Sequence, residues 1–566
     1  MRDSLAHRLQ SVLFLLPLTM ASGLALGAED PGCTTFYTAS DPRLFDFIQT
    51  RKAADFTPWQ GRTIGRISLV TLPIFNEADP HENNFVFRGL NRLHKPTRAK
   101  TLNKQLLIRE GEPLNVDHLH ESERILRGAG YLYDAMIVPE RACGDRIDLM
   151  VVVRDIWTLQ PTASFKRTGG QNSTSVGIVD DNLLGLGHSL SLSWDKNAQR
   201  SGVVLNFDGQ HMFDGRTELG LGYAKNDDGR RSDFTLDHPF YAFDTRWAAG
   251  ITGFEDQRIE TESANGITTN RYDDRLQYLE VYGGLASQVQ NRQVRRWRIG
   301  MTYNNEIYDN QDAAYTAPLP VNKQFAYPWI EYERREDAFV TTSNLSQLFR
   351  NEDVNLGEEW RVRFGATTRA IRSDTDALVA QLAYNNTVSF GAHHLLRNTV
   401  GASLLWDEDR KAWENSVYGA GTNYDYFIDD NNRWHARVAV DIGEGLSSDN
   451  QLKAGGDTFL RGYPSGWQRG DRRVVVNVER RHFFDKHVLN LFRFGAAAFA
   501  EAGKAWDSTH TVMQSNTVLT DVGIGLRANS SKARPNHVMH LDFAIPLTDR
   551  GTVKKFQWSL QSQSSF

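Results

Sequence analysis

From Trp157 to Phe566 apolar side chains recur at every second residue, in short runs separated by polar turns. Leu190, Leu192 and Trp194 alternate with Ser189, Ser191 and Ser193. Trp297, Ile299, Met301 and Tyr303 alternate with Arg298, Gly300, Thr302 and Asn304, and Val438, Val440 and Ile442 with Arg437, Ala439 and Asp441. A period of two sends successive side chains to opposite faces of a strand, so each run has one apolar and one polar face. A soluble β-sandwich does not usually put arginine and aspartate on its buried faces. One face uniformly apolar and the other charged suits lipid outside and water inside, which predicts a closed barrel. Aromatic residues near the ends of the runs and polar loops between them fit the same reading.

The first 28 residues point to export. Arg2, His7 and Arg8 precede the apolar run Val12–Leu18, and Ala25-Leu26-Gly27-Ala28 offers a small-residue cleavage site, which reads as a signal peptide. No later run has the length of a transmembrane helix, so a chain that spans a membrane must do so as a barrel whose ladder satisfies every backbone group. A mean hydropathy of -0.48 agrees with either a soluble protein or a barrel with a polar lumen. The net charge of -5 gives no basis for a nucleic-acid partner.

Between a segment at 29–61 and the barrel region at 157–566, residues 62–155 read as a small α+β domain. Ile67, Leu69 and Thr71 alternate as in a half-buried strand. Helical patterns cover parts of Asn84–Leu107, broken at Pro96, and a stretch from an Asp117 N-cap to Gly128 and Gly130. Strands at Tyr133–Val138 and Ile147–Val153 follow, separated by a turn at Pro139–Asp145. The two cysteines, Cys33 and Cys143, allow either a disulfide tying the N-terminal segment to this domain or two separate thiols.

Near the C-terminus, Phe459-Leu460-Arg461-Gly462-Tyr463-Pro464 forms a turn-like stretch, followed by Phe499-Ala500-Glu501-Ala502-Gly503 and Gly523-Ile524-Gly525-Leu526-Arg527. By parity Glu501, Gly503, Gly523, Gly525 and Arg527 face the lumen, where glycines leave a groove for a loop and Glu501 can accept from an arginine. Pairing of Glu501 with Arg493 or Arg527 is the bland alternative.

This trio resembles the signature of the Omp85 superfamily of outer-membrane barrels, and the small domain is similar to the POTRA domain that precedes them, with Gly111-Glu112-Pro113-Leu114 and Gly130-Tyr131 at its characteristic turns. The resemblance implies a mainly β protein: a transmembrane antiparallel barrel of about sixteen strands after one POTRA domain. It further implies that Arg461, Gly462 and Tyr463 form a lumenal loop tip held by a wall of Phe499, Glu501, Gly503, Gly523, Gly525 and Arg527. A terminal aromatic, Phe566, resembles an outer-membrane sorting signal, and the last strand is expected to pair loosely with the first. The function implied is insertion of polypeptides into the outer membrane or their movement across it. An unfolded substrate is captured at the POTRA edge, with membrane lipid and accessory periplasmic or lipoprotein partners around it. Dedicated two-partner secretion is the alternative within the family, and a passive porin or surface antigen the alternative outside it.

Catalysis finds no motif. Gly462-Tyr463-Pro464-Ser465-Gly466 places its serine one residue too late for a nucleophile elbow, and the chain has no phosphate-binding loop, H-E-x-x-H or C-x-x-C. Adjacent His393 and His394 do not have metal-ligand spacing on a helix, and Asp180-Asp181 reads as solvated charge. No enzyme activity, cofactor or metal is expected.

Overall fold

The computed structural model describes residues 33–45, 54–197, 199–264, 267–508, 516–534 and 537–563. The expected signal peptide and Phe566 lie outside the described residues.

The N-terminal unit is a four-stranded sheet in the spatial order Cys33–Thr35, Leu132–Cys143, Arg146–Asp155, Thr63–Leu72. Only the last pair is parallel. Helices Phe85–Leu93, Ala99–Asn103 and Val116–Gly128 accompany it, and Leu102, Leu119, Leu126, Ile137, Leu149 and Val151 form the core between helices and sheet. Two sequence expectations change. The helix is capped by Asn115, whose side chain accepts from the Asp117 N–H at 3.0 Å, not by Asp117. The strand after Leu132 runs through Pro139 to Cys143, with a register shift at Pro139 that accommodates its missing N–H. Beyond the shift, Arg141–Cys143 is covered by Cys33–Thr35, and Cys33 and Cys143 are joined as a disulfide.

Twenty strands, setting aside the two-residue Ala412–Trp413, close a barrel from Leu159–Thr168 to Gln557–Gln563. The expected number was about sixteen. More strands fit because several hairpin turns take only two residues, as at Gly169-Gly170, where positive φ values of 53° and 81° suit glycine. The faces divide as the alternation requires. Trp194, Trp297, Ile299, Phe364 and Ile524 are exposed outward, Ile299 and Ile524 at 64%. Arg296, Glu331, Glu333, Asp425, Glu479 and Glu501 are buried within the barrel. Apolar outside with buried charge inside reverses a soluble fold, and it suits a lipid surround. Among the described residues no helix is long and apolar enough to cross a membrane. The barrel's closure is its least regular join. Among the described residues, first and last strands are in ladder register only at Leu560–Arg167, whereas every other pair of neighbours shares seven or more register partners.

The small domain sits on the mouth from which the first strand starts, docked on the turns there. Asn182 Nδ2 donates to Thr97 Oγ1 (2.8 Å) and Lys532 Nζ meets Glu82 Oε1 (2.6 Å), while Arg534 pairs with Asp181 (3.1 Å) between two of these turns. Asp181, on the barrel side of this junction, is buried and held by Arg534 and Ser189, so it is not a solvated charge. In the domain itself, Asp134 is 5% exposed and accepts from Ala135 N (2.8 Å) and Asn351 Nδ2 (2.5 Å). Burial pushes its carboxyl up to about 6, against the opposing charge of Arg127. The folded value lies above the unfolded one, near 3.9, so the native state holds a proton that the unfolded chain has released between about pH 4 and 6. Stability is thus lost as pH rises through that window, by on the order of 2–3 kcal/mol. Asp134→Asn is expected to remove this component, leaving a flatter profile of unfolding midpoint between pH 4 and 7. Parallel profiles for the two proteins would contradict it.

Candidate functional site

The loop 445–471 leaves the barrel wall at the mouth opposite the small domain and folds back into the lumen. Its base is closed by the short hairpin Leu452–Ala454 with Gln468–Gly470. Leu460 and Tyr463, both fully buried, pack with Ala454, Ala505, Leu519 and Val553 against the wall. The Tyr463 hydroxyl donates to the Thr520 carbonyl (2.8 Å) and lies 2.7 Å from Thr548 Oγ1. The loop is therefore anchored by its own apolar side chains before any charge is considered.

Arg461 sits at the tip, 9% exposed. Its Nε donates to Glu501 Oε1 (2.8 Å), and its backbone N–H donates to the other carboxylate oxygen (2.7 Å). Nη2 reaches Glu479 Oε1 (2.6 Å), and Nη1 lies 3.4 Å from Asp542 Oδ1. The guanidinium lies flat over Phe499, 3.4 Å from the ring centroid. One arginine is thus held by two strong charge-assisted bonds, a third carboxylate and an aromatic face. The Gly462 N–H donates to Asp521 Oδ2 (3.1 Å), so successive loop residues address neighbouring wall strands. The carboxylates are held in turn: Asn477 donates to Glu501 (2.8 Å), Arg481 to Glu479 (2.7 Å) and Arg527 to Asp542 (2.7 Å).

The glycines explain why the tip can come so close. A Cβ on Gly523 would overlap Phe499 Cζ and the Phe543 carbonyl, so this glycine lets the ring lie beneath the arginine. A Cβ on Gly503 would stand 3.1 Å from Leu460 Cδ1. Gly525 gives space to Asp542 and Arg527. Arg493 donates to the Asp485 carbonyl, and neither it nor Arg527 takes the place of Arg461 on Glu501. Arg527 is a wall residue that holds Asp542, one of the carboxylates beside Arg461.

Sequence reading missed Glu479, Asn477, Asp521 and Asp542. The signal was present: Val474, Val476 and Val478 share one face of Arg472–Phe483, which sends Asn477, Glu479 and Arg481 to the other. The histidine pair is structural, His394 against the Tyr424 hydroxyl (2.7 Å) and His393 against the Phe427 carbonyl (2.8 Å). Among the described residues there is no group of three or more side chains that could hold a metal ion.

Fold and site together define a closed β-barrel, apolar outside and charged inside, whose lumen holds an inserted loop, with a small α+β domain at the other mouth. The chain is similar in structure to CdiB from Escherichia coli (13% identity, TM-score 0.48, covering 97% of this chain and 94% of that one). It is also similar to CdiB from Acinetobacter baumannii (12%, 0.43, 94% and 94%). A third similar structure is BamA from Haemophilus ducreyi lacking POTRA domains 1–3 (12%, 0.39, 89% and 84%). No protein-family model matches the chain, and no curated protein matches it in sequence.

Proposed function

We propose that this chain is an Omp85-type outer-membrane protein, its small domain a periplasmic POTRA unit, that inserts polypeptides into the membrane without catalysis or a cofactor. The observation that carries the reading is the closure: among the described residues Leu560–Arg167 is the single register pair between first and last strands. Beside it, Thr168 Oγ1 lies 3.1 Å from Gln561 Oε1, Phe165 stacks on Trp558 (6.1 Å) and Arg167 covers Trp558 (5.3 Å). Side chains hold this join more than backbone does, and a join of that kind can part sideways toward lipid at low cost while the rest of the ladder stays closed.

Capture of an extended segment falls to the small domain's edge strand Thr63–Leu72, by main-chain pairing that tolerates any sequence. Half of that edge is already used: Ile64 and Arg62 exchange backbone bonds with Gly111, Glu112 and Leu114, and the Ile67 N–H donates to Glu110 (2.8 Å). Among the described residues the covering stops at Ile67, which makes Ser68–Leu72 the receiving length. The opposite edge is taken by side chains, with Arg127 on the Ala135 carbonyl (3.2 Å) and Glu123 on the Ile137 N–H (2.7 Å). Accessory periplasmic proteins would meet the same domain.

A disulfide between Arg167→Cys and Leu560→Cys tests the reading. Under oxidation, insertion of a substrate barrel into lipid vesicles containing the protein is expected to fall at least tenfold, and reduction is expected to restore it. Ion conductance through the lumen should not change with the lock. Insertion at full rate in the locked protein would rule the join out as the route and leave passage through the lumen, as in dedicated secretion. A wild-type protein that conducts ions steadily and handles no polypeptide would be a porin.

A further inference from the structure

A second insert enters the lumen from the small-domain mouth. Between the wall strands Lys323–Glu336 and Glu358–Thr367, Phe339–Ser343 pairs with Asn351–Asn355 in a hairpin that does not join the barrel ladder. Its tip is preorganised: the Glu352 carboxylate accepts from the backbone N–H groups of Leu345 (2.9 Å), Ser346 (2.8 Å) and Gln347 (3.0 Å). The tip rests on the inner wall. Asn344 Nδ2 donates to the Asp430 carbonyl (3.0 Å), Leu348 packs with Phe483, Ala497 and Val538, and Arg493 lies over Phe349 (4.5 Å). Leu345 and Ser346 line the same cavity, about 250 Å³, as Phe459 and Arg461 of the outer loop. The two inserts thus face each other across one small space.

The small domain grips the hairpin along its second strand, from Arg350 to Asp353. Arg127 makes a bidentate pair with Asp353 (2.8 and 2.9 Å). Asn351 Nδ2 donates to Asp134 Oδ2 (2.5 Å), and Arg350 donates to the carbonyls of Leu132 (3.2 Å) and Tyr133 while lying over the Tyr133 ring (4.5 Å). Arg124 lies over Phe339 (4.5 Å). The bidentate guanidinium–carboxylate pair with its flanking bonds couples the hairpin directionally to the small domain, while the tip is held on the wall by the Asn344 amide, by the Arg433 guanidinium on the Asn344 carbonyl and by a small apolar patch.

We propose that the hairpin 339–355 is an inner plug of the lumen whose handle is gripped by the small domain, so that displacement of that domain withdraws the tip and opens the pore. This concerns the pore itself and does not depend on what passes through it.

The test is single-channel recording on the full-length protein in planar bilayers. Replacing 339–355 by a short Gly-Ser turn is expected to raise mean conductance several-fold with the outer loop intact; unchanged conductance would overturn the plug. Arg127→Asp and Asp353→Arg are each expected to raise the open fraction at least threefold, and the two together, which restore the pair in reverse, are expected to return it to the wild-type level. Asp353→Asn gives a milder version should either charge reversal fail to fold, as judged by heat-modifiable gel mobility. Single changes that leave the open fraction unchanged while the Gly-Ser replacement opens the pore would mean that the small domain does not hold the plug, and the proposal would fall.

Discussion

Arg461→Ala is expected to free the outer loop and turn a quiet channel into one with frequent, large openings, while the barrel still assembles. The side chain removed serves Glu501, Glu479 and Asp542 and stacks on Phe499, all within a buried cluster. Taking one partner from a buried ion pair leaves uncompensated charge and costs about 3–5 kcal/mol, well above the value of an exposed bridge. That loss falls on the loop, because the wall is held by its own closed ladder; heat-modifiable gel mobility should be unchanged. Arg461→Lys is expected to recover only part of the effect, since an ammonium cannot span two carboxylates and lie flat on an aromatic ring. Glu501→Ala should be milder than Arg461→Ala, because Glu479 and Asp542 still hold the guanidinium. The double variant should add little to Arg461→Ala alone. Effects of the two changes that simply sum would show that the loop is anchored elsewhere.

Gly523→Val is expected to open the pore by the same route without touching any charge. Its Cβ would occupy space held by the Phe499 ring and the Phe543 carbonyl, so either the ring leaves its place under Arg461 or the strand shifts. Overpacking of this kind costs about 1–3 kcal/mol. The measurement is paired: conductance of the Gly523→Val channel against that of Gly551→Val, where an added Cβ meets nothing within 4 Å. Equal traces from the two would mean that the close approach of ring and strand does not position the loop.

Much of this protein follows from local chemistry along the chain. Period-two alternation defines which side chains face lipid and which face the lumen, and it assigns Glu501, Gly523 and Gly525 inward without any knowledge of neighbours. The same rule reaches Glu479 through Val474, Val476 and Val478 on the opposite face. Asparagine at 115 acts by accepting a nearby N–H and proline at 139 by lacking one, and they correct boundaries by only a few residues.

What the sequence leaves undetermined depends on closure and on contacts between distant segments. Twenty strands in place of about sixteen reflect how the turns and register add up around a ring, which no single run encodes. That Arg461 meets Glu501 and Glu479, and not Glu501 alone, depends on how far the loop enters, set by packing of Leu460 and Tyr463 on the wall. The hairpin 339–355 reads locally as an ordinary pair of short strands. Only the tertiary structure puts Asp353 against Arg127, 226 residues away in the chain, and the tip inside the barrel. Faces are a property of neighbouring residues, whereas plugs and joints are made by surfaces that meet only once the ring has closed.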